Sequence, residues 1–220
     1  MSGGFPVEII VLLVLVAGFL ILRLRSVLGK RVGYEREEQP DQRRPGMQGP
    51  TIDGVAEPLR PRPGRPIPPP HTPAGQALER IAQTDRSFDP VRFVDGAEEA
   101  FRRIVAAFAE GDLATLKTLL TPSVYTTFEQ SVAARKEAGE TQHSEIRSIE
   151  EAVIEEADLM GDQAAIVIRF VSTQINFTRD REGQVIAGAE EETEIVDIWS
   201  FERQLRSRDP TWRLASARSG

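Results

Sequence analysis

The chain has 220 residues, 40% of them apolar and 6% aromatic, with 15 prolines, two histidines, no cysteine and a formal charge of −7. Without cysteine there is no disulfide framework, thiol nucleophile or thiolate-held metal cluster, and two lone histidines are poor material for imidazole triads or multi-histidine metal sites. The charge is uneven: residues 1–90 hold 12 basic and 10 acidic side chains, net +2, leaving 15 basic and 24 acidic, net −9, for residues 91–220, a balance that disfavours nucleic acid as a partner of that part.

Ile9 to Leu22 reads IIVLLVLVAGFLIL, and extension back to Phe5 gives 18 residues interrupted only by Glu8. A helix of that length reaches about 27 Å, just short of a hydrocarbon core of about 30 Å, so Ile9, Leu12, Leu15, Phe19 and Leu22 are expected to anchor an integral membrane span whose ends snorkel. A cleaved signal peptide would carry its basic residues ahead of the apolar run. Here Arg23, Arg25, Lys30 and Arg31 follow it. The positive-inside rule then predicts a single-pass protein of a bacterial inner membrane, N-terminus outside and domain in the cytoplasm, with the basic collar available to anionic lipid.

Residues 1–24 are thus read as the anchor, 25–75 as a basic collar and linker, and 76–220 as a folded domain. Pro40 to Pro73 contains 11 of the 15 prolines and hardly any large apolar side chain. Such a segment buries too little surface to offset backbone ordering, and the expectation is a disordered or locally polyproline II tether. Arg60-Pro61-Arg62-Pro63 is PxxP-like, a pattern common in linkers, and His71 is read as a solvated side chain.

Beyond Gly75 the texture changes. Leu78, Ile81 and Ala82 predict a short amphipathic helix, and Asp89-Pro90 sets a cap and a first helical proline ahead of Phe93, Ala97, Phe101, Ile104 and Phe108, one apolar stripe. Gly111 stops that helix and Asp112 caps a leucine-rich one, while Thr121-Pro122 starts another with Val124, Phe128 and Val132 that runs to Gly139. The period then falls towards two. Strands are expected at Ile146–Ala157, Ala164–Thr178, Glu192–Leu205 and Trp212–Ala217, separated by turns at Met160-Gly161-Asp162, Arg181-Glu182-Gly183 and Asp209-Pro210. Helices followed by antiparallel strands predict an α+β domain with the helices packed on one face of a curved four-stranded sheet.

The ending EIVDIWSFERQLRSRDPTWRLASARS, taken with FVDGAEEAFRRIVAAFAEGDLATLKTLLTPSVYTTFEQ and the strand block between them, resembles the Tim44-like family over about residues 88–218. Trp199-x-Phe201 and Asp209-Pro210-x-Trp212 are the most specific part of the match. The resemblance implies a cone-shaped fold of the nuclear transport factor two type. It also implies a scaffold role beside a membrane translocase, with protein partners drawn from inner-membrane translocation or assembly, a chaperone among them, and an apolar pocket suited to an acyl chain or lipid. The N-terminus departs from the mitochondrial member, which carries a targeting sequence and a chaperone-binding region where this chain has a span and a tether.

Phe101, Phe108, Phe128, Trp199, Phe201 and Trp212 are either plain core or the wall of that pocket, and both readings stay open. Asp197 lies in a strand between apolar neighbours and Arg169 in another strand; they are either a buried cross-sheet pair or two solvated positions, and Asp197 is the single polar residue worth testing as a pocket group. His143 follows a glycine-containing loop and is expected to be exposed. The glutamates from Glu150 to Glu156, with Asp158, read as a solvated strand face rather than a metal site. No phosphate loop, nucleophile–base pair or metal-ligand spacing occurs, so no cofactor is expected. The expected function is a non-enzymatic scaffold; a lipid or small apolar ligand-binding domain is the alternative, and a pocket enzyme of the same fold the remote one.

Overall fold

Three of the four helix starts in the computed structural model, which describes residues 66–220, are fixed by a side chain that accepts an otherwise unpaired backbone N–H. Thr72 Oγ1 accepts from Gly75 N at 3.0 Å ahead of α1 (Pro73–Thr84). Asp89 Oδ1 accepts from Arg92 N at 2.8 Å ahead of α2 (Pro90–Glu110), and Asp112 Oδ1 from Thr115 N at 3.0 Å ahead of α3 (Leu113–Leu119). The fourth, α4 (Pro122–Ala138), opens with proline, and the backbone of Thr121 donates to Leu214 O at 2.9 Å, which ties the α3–α4 junction to the sheet. Helices α2 and α4 end at Gly111 and Gly139, both left-handed.

The apolar stripe of α2 is buried as its spacing predicts: Phe93, Val94, Ala97, Phe101, Ile104 and Ala107 face inward. They meet a meander of four antiparallel strands in chain order, β1 (Thr141–Met160), β2 (Gln163–Arg179), β3 (Val185–Gln204) and β4 (Arg213–Ser219). Helices α1 and α2 pack across β1. On β2 the inward residues Ala164, Ile166, Ile168 and Phe170 alternate with outward ones and form the floor of the core. The expected α+β class, with helices on one face of a curved sheet, is the one found.

Curvature comes from interrupted register. β1 shifts three times against β2, between Ile146 and Ser148, Ile149 and Glu151, and Ile154 and Glu156. β3 shifts against β2 where Gln174 faces Thr193 but Asn176 faces Ala189. Each extra residue bends its strand and increases the local twist, so the distal end of the sheet curls over the helices and leaves a hollow.

Every strand differs at its ends from the sequence expectation. β1 starts at Thr141 and β3 at Val185, because both continue past the shifts to pair with the end of β2. His143, exposed as expected, is consequently a strand residue stacked on Phe177 with ring centroids 4.9 Å apart. Arg169 and Asp197 are not partners. Arg169 stands opposite Ile198 and Asp197 opposite Phe170, so alternation sends them to opposite faces: Arg169 donates to Glu151 at 2.9 Å and pairs with Glu155 at 3.0 Å on the outer face, while Asp197 points under the sheet.

Among the described residues, Pro66–Pro69 lies against Val153–Ala157 of β1. The Pro69 carbonyl approaches α1 so closely that a Cβ on Gly75 would sit 2.0 Å from its oxygen. The anchor residues Ile9, Leu12, Leu15, Phe19 and Leu22 and the collar residues Arg23, Arg25, Lys30 and Arg31 lie outside the described residues. Among the described residues no helix is long and apolar enough to cross a membrane.

Candidate functional site

The hollow between α2, α4 and the distal sheet is a cavity of about 250 Å³. Phe101, Ile104, Val105 and Phe108 from α2, Phe128 from α4 and Trp199 from β3 form its apolar walls. Phe101 is held from two sides, stacked on Phe170 with centroids 4.5 Å apart and met edge-on by Trp199 at 4.7 Å. Phe108 packs on Phe128 at 4.8 Å. Aromatic pairs in these geometries add to area burial and fix ring planes, so the walls are preformed.

One side of the cavity is polar. Below Phe170 the inward face of β2 continues as Ser172, Gln174 and Asn176, joined by Gln142 and Ser144 of β1 and Asp197 of β3. The amide of Asn176 donates to Gln174 Oε1 at 2.8 Å, and Gln174 Nε2 donates both to Ser172 Oγ at 2.8 Å and to Asp197 Oδ2 at 3.1 Å. Ser172 and Gln174 are 0% and 4% exposed, so this amide chain is a built feature of the interior rather than a wetted rim. On the second side, Gln142 Nε2 donates to Ser144 Oγ at 3.1 Å.

Arg135 of α4 holds that second side in place. Its guanidinium lies 5.0 Å from the Phe108 ring centre, donates to the Phe108 and Ala109 carbonyls at 2.6 and 3.1 Å, and also donates to Gln142 Oε1. One cation thus caps the last turn of α2 and ties it to α4 and β1.

Asp197 is the carboxylate among the cavity-lining residues, and Arg218, exposed at the rim, is the cation. Loss of water pushes the Asp197 carboxyl up to about 6, and hydrogen bonds from Gln174 and Trp199 work against that rise. Among the described residues no lysine, arginine or histidine forms an ion pair with it. Chemically the site presents an aromatic trough, an oriented amide and a carboxylate that takes up a proton near the top of the acidic range.

Five residues singled out from sequence converge here: Phe101, Phe108, Phe128, Trp199 and Asp197. Phe201 and Trp212 do not. They belong to a second cleft, of about 320 Å³, at the start of α2, where Phe93 meets Trp212 at 4.8 Å and Phe201 at 6.2 Å. Beside it Arg203 of β3 pairs with Asp85 at 2.9 Å, both nearly buried, and fastens the end of α1 to the sheet. Sequence reasoning missed the amide chain Ser172, Gln174 and Asn176. Its signal was available: the three continue, at a spacing of two, the inward alternation of Ile166, Ile168 and Phe170.

The chain belongs to the Tim44-like domain family, whose model matches residues 74–219, more than half of its length. Among individual proteins it is similar to the mitochondrial import inner membrane translocase subunit TIM44-1 of Arabidopsis thaliana, 24% identical over 151 residues; the match covers 65% of this chain but only 32% of that relative. Among solved structures, the intermembrane space region of the chloroplast protein ARC6 matches 58% of this chain and 94% of its own, with 10% identity and a TM-score of 0.42. A dehydratase-like member of the NTF2-like family from Streptomyces avermitilis matches 60% of this chain and 96% of its own, with 15% identity and a TM-score of 0.36.

Proposed function

We propose that this chain is a membrane-anchored, non-enzymatic scaffold that gathers protein partners of translocation or membrane-complex assembly at a bacterial inner membrane. The observation that carries the reading is the family match over residues 74–219, in a domain whose relative is named as a subunit of an inner-membrane translocase. The layout supports it: an apolar run and a basic collar fix position, a proline-rich tether grants reach, and a net −10 domain is repelled by anionic headgroups. Catalysis is not part of the reading, since the cavity offers Asp197 without a second acid–base group beside it.

Crosslinking followed by co-purification from membranes tests it. The full chain should recover inner-membrane complexes or their assembly factors, removal of residues 88–218 should abolish that recovery, and removal of residues 40–63 should weaken it. The shorter tether deletion spares Pro66–Pro69 and the Thr72 cap, which belong to the domain. Recovery of the same partners by residues 1–35 alone overturns the reading.

The apolar cavity favours a second reading, that the domain holds a small apolar ligand or acyl chain. Native mass spectrometry of the full chain released from membranes should then show a retained adduct that Phe108→Ala loses.

A further inference from the structure

The carboxylate of Asp197 lacks a cation of its own among the described residues, yet the structure holds it in place. Gln174 donates to Oδ2 at 3.1 Å, and the same amide donates to Ser172 and accepts from Asn176, which fixes its orientation. Around this fixed acceptor stand four aromatic rings, Phe101, Phe108, Phe128 and Trp199. A buried carboxylate without a counter-charge is costly, and a cation delivered against it is stabilised both by charge-assisted hydrogen bonding and by the negative faces of neighbouring rings. The volume, about 250 Å³, exceeds the roughly 150 Å³ that holds a benzene-sized guest and falls short of the roughly 300–1,000 Å³ of drug-sized sites. One long side chain fits those bounds.

We propose that this cavity receives the lysine side chain of a protein partner, its methylene stem between Phe101, Phe108, Phe128 and Trp199 and its ammonium on Asp197. The proposal rests on the reading that the domain binds proteins, and it names how one residue of such a partner is held. Charge decides between a lysine and the amine of a lipid headgroup, the other biological source of an ammonium on a flexible stem. The headgroup would bring a phosphate into a domain of net charge −10. Among the cavity-lining residues only Arg218, at the rim, is available to neutralise it. A lysine brings no anion. Arg218 lines the same cavity at its rim, and Arg135 stands behind Phe108.

The test uses the full chain in phosphatidylcholine nanodiscs with Trp212→Phe, which leaves Trp199 as the reporter, since the sequence has two tryptophans. Three soluble probes are titrated: N-acetyl-lysine amide, N-acetyl-norleucine amide, which keeps the stem without the ammonium, and glycerophosphoethanolamine. At pH 8 the lysine probe should bind about tenfold or more tightly than the norleucine probe, and the preference should shrink to less than about threefold at pH 4.5, where the carboxyl is protonated and the lysine is not changed. Asp197→Asn should remove the preference at pH 8 while norleucine binding stays within about twofold, which reports an intact trough. Equal binding of the lysine and norleucine probes overturns the ammonium assignment and leaves a purely apolar site. Glycerophosphoethanolamine binding as well as the lysine probe assigns the cavity to lipid and overturns it too, as does an unchanged lysine preference in Asp197→Asn or no binding of any probe. If the asparagine variant does not fold, the pH dependence of the unsubstituted domain decides. Partner recovery in the co-purification experiment does not depend on any of these outcomes, so the two readings fail separately.

Discussion

At Asp197 the interior works against the charged form, and the consequence is a pH-dependent stability whose sign is fixed. Below its ordinary value of 3.8 the carboxyl is protonated in both folded and unfolded chains, and between there and about 6 only the folded form keeps the proton. Stability therefore declines as pH rises through that window and stays flat above it. The raised value corresponds to about 3 kcal/mol at neutral pH, two units at about 1.4 kcal/mol each. Asp197→Asn keeps an oxygen for Gln174 and removes the charge. The expected outcome is a variant more stable than the parent by about 1–3 kcal/mol at pH 7.5 and equal to it near pH 3.5, measured by urea unfolding at both pH values. A variant that is less stable at pH 7.5 would mean that the carboxylate is already compensated. A second residue-scale expectation concerns Phe101, fully buried between Phe170 and Trp199. Phe101→Ala should lower stability by about 3–5 kcal/mol by the same measurement, because a large buried ring leaves a void that a stacked neighbourhood cannot collapse into.

Among the elements, the β2–β3 hairpin is where the cavity is decided. Gly188 has φ of +77°, and a Cβ there would lie 2.1 Å from Asn176 O, a backbone atom on the facing strand. Only glycine permits the shift that takes the register from Gln174–Thr193 to Asn176–Ala189 and carries Asn176 into the polar side. Gly188→Ala should open the distal arm: amide exchange at Phe177 and Ala187 is expected to quicken by about tenfold or more, while exchange along α2 is unchanged, since local opening does not require global unfolding. Uniform acceleration across the domain would refute this. The same shift explains what could be read from sequence. Helices α2, α3 and α4 were legible because Asp89, Gly111, Asp112, Pro122 and Gly139 punctuate them and a single stripe of phenylalanines gives the inward face of α2. Strands were legible as alternation between turns, but their ends were not, since Glu190, Glu191 and Glu192 lie inside the irregular stretch and erase the period that would have extended β3 back to Val185. The aromatic walls of the cavity were visible as residue types. Their division into two clusters was not, because Trp199 and Phe201 share a strand face and only the register decides which helix turn each ring meets. Ser172, Gln174 and Asn176 escaped because polar residues at alternating positions ordinarily mark a solvent face, whereas here a curled sheet encloses them.

For the whole molecule, the order of its charges along the chain carries an expectation about sidedness. Arg23, Arg25, Lys30 and Arg31 follow the apolar run with no acid between them, and no lysine or arginine precedes it. Positive charge within about 15–20 residues of a span resists translocation, so the expectation is that residues 23–220, and with them a domain of net −10, stay on the cytoplasmic side. The acidity of the domain does not enter this expectation, because acidic residues contribute little to orientation; on the cytoplasmic side like charge would hold the domain off an anionic leaflet that attracts the collar. A cytoplasmic fluorophore fused after Gly220 should therefore be bright and an alkaline phosphatase fused there inactive. Changing Arg23, Arg25, Lys30 and Arg31 together to glutamine while adding four lysines ahead of Phe5 should invert both signals, since the bias then lies on the other side of the span. Phosphatase activity in the unsubstituted fusion would place the cavity on the far side of the membrane, and the partners sought in the co-purification would have to be sought there.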